Sequence, residues 1–288
     1  MTAVFKRELS SYFKGITGYL FAAFILLFTG IYCMAYNLSG YYANFEYVLS
    51  SISFIYLIAV PILTMRSLAE ERHRKTDQLL YSLPISLTDV VLGKYLAMLA
   101  TLAFPLGVVA LYPLVLTQFG TVSLQIAYTA LIGFFLLGGC LLSIGLFVSA
   151  MTESQVAAAV ISLVVLLLLY FMSGLASFVS TEASASLLAL IVCVLLFAII
   201  LYRLSRNGII AAITAVVGVG ALCIAYFTKQ DLFSGLFPSI MEKLSVFERF
   251  DSFVDGILDL TAVVYYLSIS GVCVFLTVQT LEKRRWSE

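Results

Sequence analysis

Eight unbroken apolar runs, each about as long as a helix that crosses a bilayer, decide what this chain can fold into. They lie at roughly 18–36, 48–65, 92–116, 125–150, 156–179, 187–203, 208–228 and 260–280. About 20 helical residues span the ~30 Å hydrocarbon core. Strands of a membrane barrel would read as ~10-residue alternations, and these runs do not alternate. The expectation is all-α: a polytopic membrane helical bundle of about eight transmembrane helices, forming a single transmembrane domain over 1–288. Composition agrees, with 62% hydrophobic residues and a mean hydropathy of +1.08, where a soluble globule holds about 45–50% apolar residues.

The charges predict an orientation. Basic and acidic residues balance at 16 each. With the N-terminus cytoplasmic, eight spans leave only Lys229, Lys243 and Arg249 of the basic residues outside. Cytoplasmic loops carry the excess of Lys and Arg, so both termini are expected on that side. Residues 1–36 read as an uncleaved first span, because the apolar run is long and no A-x-A-like site follows it. The five cysteines lie in apolar runs without CxxC spacing, which supports neither a disulfide framework nor a zinc site.

Between the second and third runs lies the only densely charged interior segment, Arg66 to Asp89. Its pattern predicts a polar helix leaving the membrane from Arg66 to Lys75. An apolar ridge of Leu79, Leu80 and Leu83 follows, stopped by Pro84, whose ring cannot continue the helical ladder. Ser86 with Asp89 three residues on is a start signal for the next helix. A short element with charged flanks and a leucine ridge has the make-up of a protein-docking knob.

Other segments carry weaker signals. Val4, Phe5, Leu9, Tyr12 and Phe13 recur at helical spacing, with Lys6, Arg7, Glu8, Ser10 and Lys14 on the opposite side. This predicts an interfacial helix over 3–15, ended by Gly15, its polar face toward the headgroups. Tyr41, Tyr42, Phe45 and Tyr47 read as an outer aromatic belt. The turn Met151 to Gln155 is short enough to force antiparallel neighbours. Gly139/Ser143 and Gly145/Ser149 have the small-residue spacing that lets helices approach closely, foremost within one chain. The external stretch 229–259 is expected to form one or two amphipathic helices, interrupted by Pro238. Asp251, Asp255 and Asp259 would line one face of a helix there, as a solvated row or as collectors of a cation.

What is missing excludes whole classes of function. No charged residue lies deep in a run, which argues against an ion-coupled carrier. His73, the only histidine, sits among Arg72, Arg74 and Lys75 as a loop residue. H-E-x-x-H and G-x-S-x-G are missing. So is the phosphate-cradling G-x-x-x-x-G-K-[ST], since Tyr95 follows Gly93-Lys94 and Thr88 stands where the first glycine belongs. The chain is not expected to be an enzyme or to bind a cofactor or metal, and nucleic acid is not an expected partner. Uphill work would draw its energy from another protein, entering at the charged knob.

Four stretches carry a family resemblance: KRELSSYFKGITGYL (6–20), EERHRKTDQLLYSLPISLTDVVLGKYLA (70–97), IGLFVSAMTESQVAAAV (144–160), and VFERFDSFVDGILDLTAVVYYLSISG (246–271) with LEKRRW (281–286). The chain resembles the permease subunits of type-2 ABC transporters, and more narrowly the gliding-motility-type permeases. The matching residues of the second stretch are Glu70, Glu71, Arg72, Thr76, Leu79, Leu80, Pro84, Gly93 and Lys94, with Lys75 where a small residue is usual. In the third they are Thr152, Glu153 and Gln155. The resemblance implies a coupling helix over 70–84 that docks on a cytoplasmic ATPase. Leu79, Leu80 and Leu83 would seat in its groove, with Glu70, Glu71, Arg72 and Arg74 as rim charges. The 151–155 turn becomes a second cytoplasmic contact loop.

The implied assembly sits in the bacterial inner membrane. It holds two permease chains, identical or different, and two ATPase subunits that use ATP and Mg. The substrate path lies at the permease interface, and a membrane-anchored extracytoplasmic protein is a further implied partner. Six spans are usual in the family, so 187–228 would be an extra hairpin. Export is the expected direction. The alternative is an ATPase-driven scaffold or signalling subunit acting on an extracytoplasmic partner.

Overall fold

The computed structural model describes residues 1–75, 86–205, 208–228 and 233–285. Among the described residues every regular element is a helix. Five helices are long and apolar enough to cross a membrane: Ile16–Ser39, Glu46–His73, Leu87–Leu116, Leu124–Met151 and Leu260–Arg285, hereafter the first, second, third, fourth and last spans. A sixth results if Gln155–Tyr170 and Met172–Phe178 count as one span. The two remaining apolar runs are helical over Ala183–Ser205 and Gly208–Thr228. Among the described residues, apolar stretches there cover Ala183–Leu195 and Ala212–Thr228. Each of the eight runs thus has a helix in its place, and among the described residues five or six meet the length and composition of a crossing.

The chain divides into two units, Met1–Leu169 with Val246–Glu288, and Tyr170–Ser245. In the first unit the fourth span is the most buried of the five, packed by the second, third and last spans. Its small residues explain how. A Cβ on Gly133 would fall 2.5 Å from the Phe253 ring, one on Gly138 2.7 Å from the Tyr56 hydroxyl, and one on Gly145 2.6 Å from the Thr64 hydroxyl. In lipid, where apolar surface gives helices no reason to associate, such close backbone approach is itself the source of packing energy. The Tyr56 hydroxyl, fully buried, donates to the Phe134 carbonyl at 2.9 Å. Ser143 and Ser149 are buried beside these contacts. The small-residue pattern therefore serves packing within the chain.

Local signals hold at several helix ends. The third span starts at Leu87, capped by Ser86, whose hydroxyl accepts from the Asp89 amide at 3.2 Å. The N-terminal helix, Thr2–Lys14, ends at Gly15, and the fourth span runs to Met151, with the next helix starting at Gln155. Two expectations need correction. Phe45 is fully buried, 6.2 Å from the Tyr112 ring, whereas Tyr41, Tyr42 and Tyr47 are exposed as a belt would be. The carboxylate row does not form. The short helix Asp251–Val254 ends before Gly256, whose φ of +78° turns the backbone, and Asp259 instead accepts from the Thr261 amide at the head of the last span. Among the described residues no cluster of His, Cys, Asp or Glu could hold a metal.

The second unit contains Ala183–Ser205 and Gly208–Thr228, two helices brought so close that a Cβ on Gly218 would lie 2.7 Å from Val194. Gly235, at φ +67°, donates its amide to the Thr181 carbonyl and opens the amphipathic helix Leu236–Leu244 expected in the external stretch. Pro238 sits in the first turn of that helix, where its missing N–H costs nothing.

Candidate functional site

The charged segment is tied into the bundle from several sides, and the tie begins with a glycine. The N-terminal helix lies along the start of the third span, where a Cβ on Gly93 would be 3.0 Å from Val4. That approach covers the next residue. Lys94 is only 1% exposed, yet its ammonium has close partners of opposite charge. It donates to the Ser67 carbonyl at 2.9 Å and lies 2.9 Å from Glu71 Oε1 and 3.2 Å from Glu8 Oε1. One hydrogen bond and two ion pairs thus surround the ammonium. A charge taken out of water this far costs several kcal/mol unless it is paired and hydrogen-bonded, so the two carboxylates are the condition for burying it.

Arg7 completes the cluster, reaching Glu8 at 2.6 Å and Glu71 at 3.0 Å. Partial burial opposes its charge, but the two carboxylates outweigh that and raise its pKa above the ordinary arginine value. Two cations and two anions thus join three pieces of chain: the N-terminal helix, the short helix Ala69–His73 and the third span. Glu71 is the common member.

Further ties secure the same short helix. Glu70 pairs with Arg66 at 2.9 Å and with Arg74 at 2.6 Å, and Arg66 also donates to the Thr17 hydroxyl at 3.0 Å. The amides of Leu68 and Ala69, which no helical carbonyl can satisfy, both donate to the buried Ser149 hydroxyl of the fourth span, at 3.2 and 3.1 Å. Arg72 forms an ion pair with Glu153. Because Glu153 is mostly exposed, this pair registers the two loops more than it stabilises them. Arg284 of the last span donates to the Met151 carbonyl at 3.2 Å. The N-terminal helix, the 66–75 stretch, the 151–155 turn and the tail of the last span therefore meet at one end of the first unit.

Sequence reasoning assigned Glu70, Glu71, Arg72 and Arg74 to the rim of a docking surface. All four hold partners within the chain. Thr152 bonds back to the Val148 carbonyl, Glu153 meets Arg72, and Gln155 opens the next helix. Thr76, Leu79, Leu80, Leu83 and Pro84 lie outside the described residues. Lys75, which stands where a small residue is usual, has φ +54°. A left-handed backbone costs a side chain about 1 kcal/mol that glycine does not meet.

Three contributors were missed: Lys94 as the buried hub, Ser149 as a cap, and Glu8, which was placed toward the headgroups but is mostly buried beneath the helix. A lone cation inside the run Leu92-Gly93-Lys94-Tyr95-Leu96 was the available signal for the first. Among the described residues the site offers no nucleophile with an adjacent base. The ion pairs and capping bonds link the 69–74 stretch to the N-terminal helix and to the third and fourth spans.

A family model described as ABC-2 family transporter protein matches residues 29–232, which include the 66–75 stretch, Lys94 and the 151–155 turn. No curated protein and no solved structure matches. Since that model covers well over half of the sequence, and the described residues include five helices long and apolar enough to cross a membrane, the protein belongs to the ABC-2 transporter family as a multi-pass transmembrane permease component of an ABC transporter.

Proposed function

We propose that this permease belongs to the gliding-motility-type subgroup and works as an exporter, with both termini cytoplasmic in the bacterial inner membrane. Two permease chains enclose the substrate path, and two copies of a separate ATPase drive them through the 70–84 segment. ATP and Mg are bound by the ATPase, not by this chain. Leu79, Leu80 and Leu83 seat in the ATPase groove. The 151–155 turn, paired to Arg72, forms a second contact, and a membrane-anchored extracytoplasmic protein completes the assembly.

One observation supports the reading: the described start of that segment, up to Lys75, is fastened to the bundle by the ion pairs of Glu71 with Arg7 and Lys94, by Arg72 with Glu153, and by the Ser149 cap. A freely swinging loop would absorb the ATPase stroke, whereas a fastened one passes it to the second, third and fourth spans. The structure also refines how docking is tested. Glu71→Arg would set a third cation against Arg7 and Lys94 and disturb the fold itself. Leu79→Asp is the cleaner substitution. We expect it to leave the amount of permease in the membrane unchanged while ATP hydrolysis that co-purifies with the chain falls about tenfold, as loss of a central apolar anchor does. Undiminished co-purifying hydrolysis would remove the docking role.

A further inference from the structure

We propose that the cleft beneath the N-terminal helix binds the phosphate headgroup of an anionic phospholipid. The cleft encloses about 1020 Å³ between that helix, the start of the first span, the end of the second and the start of the third. Cations outnumber anions in its walls. Its three carboxylates are already shared, Glu70 between Arg66 and Arg74, and Glu8 and Glu71 between Arg7 and Lys94. Lys6 and Lys14 line the same cleft, are exposed, and have no acidic partner among the described residues. A phosphate would supply the missing negative charge, and its oxygens accept strong charge-assisted bonds from guanidinium and ammonium groups.

The position of the cleft selects a lipid as the source of that phosphate. Its wall reaches Gly15 and Thr17, where the N-terminal helix gives way to the first span. Ile16, Tyr19 and Leu20 lie exposed immediately beyond, an apolar strip on which acyl chains can lie while the headgroup stays in the cleft. Basic residues at the cytoplasmic membrane surface attract anionic lipids, and here they stand around a cavity rather than on an open face. Bound there, the headgroup would hold the N-terminal helix against the ion pairs that fasten the 69–74 stretch. The inference is independent of ATPase docking, because the permease alone provides the site.

The test uses the purified full chain in nanodiscs of phosphatidylcholine that contain phosphatidylglycerol with a photoactivatable group near the headgroup. Labelling is expected within 1–20 and 66–75. It should fall about tenfold in Lys6→Gln/Lys14→Gln, less in Lys14→Gln alone, since each surface cation contributes a few-fold to anionic lipid binding. Lys283→Gln/Arg285→Gln, which removes the same charge from the tail of the last span, should leave it unchanged. Millimolar inorganic phosphate should not compete. Equal labelling by phosphatidylcholine carrying the same group, or undiminished labelling in Lys6→Gln/Lys14→Gln, would overturn the site. Displacement by inorganic phosphate would overturn the lipid and assign the cleft to a soluble anion.

Discussion

Neutralising both carboxylates that face Lys94, in the variant Glu8→Gln/Glu71→Gln, is expected to cost about 3–5 kcal/mol of stability, the range for a buried charge stripped of its partners. Lys94 is 1% exposed and would keep only neutral acceptors, with no negative charge beside it, while Arg7 would change from a bridge into a nearby repulsive charge. The midpoint of thermal unfolding in detergent should fall on the order of 10 °C. Adding Lys94→Met should recover most of the loss, since methionine fills the space of the lysine stem without a charge to compensate. This rescue separates a buried ion pair from simple sensitivity of the loop. If the paired glutamines left the midpoint unmoved, Lys94 would not be held as described. If Lys94→Met failed to restore it, the carboxylates would matter for some reason other than that charge.

Gly138→Leu should be of comparable severity. A Cβ at this position would already lie 2.7 Å from both the Tyr56 hydroxyl and Leu102, and both neighbours belong to packed spans rather than to flexible ends. Overfilling a tight core costs about 1–3 kcal/mol. Displacing Tyr56 also breaks its bond to the Phe134 carbonyl, for about another 1 kcal/mol. We expect little monodisperse protein to be extracted from membranes. Gly107→Ala is the matched control. Nothing lies within 4 Å of its added Cβ, and alanine favours the helix interior by about 0.5–1 kcal/mol. It should extract as well as the unaltered chain or better, and equal behaviour of the two variants would contradict the packing described for the fourth span.

Much of this arrangement is legible in the sequence because it rests on local physics. The spacing of Val4, Leu9 and Tyr12 is enough to place a helix over Thr2–Lys14, and Ser86 with Asp89 is enough to start the third span. The limits appear where a residue's partner is far away in sequence. Helical periodicity says that Arg7 and Glu8 share the polar side of the N-terminal helix, but not that this side turns toward Lys94. The close seat that Gly93 offers Val4 decides that, and it exists only once the helices have met. In the same way Glu71 reads as a solvated charge until Arg7, 64 residues earlier, is beside it.

The carboxylate row failed for a different reason. Four-residue spacing has meaning only on a continuous helix, and Gly256, at φ +78°, interrupts one. Length tells the same story for the membrane crossings. An apolar run marks a helix well, but whether that helix crosses depends on breaks such as the one between Tyr170 and Met172, which apolar composition does not announce.

In the proposed function a separate ATPase grips the leucine ridge of Leu79, Leu80 and Leu83, which follows the fastened helix Ala69–His73 in sequence, and drives the bundle from there. A photo-crosslinking residue in place of Leu79, in a chain expressed with its native cellular partners, tests this most directly. The expected result is a crosslinked chain that carries the phosphate-cradling glycine loop and hydrolyses ATP, together with protection of position 79 from reagents that cannot cross the membrane from outside. Crosslinking confined to lipid or to the permease itself, or labelling of position 79 from the outer face, would contradict it.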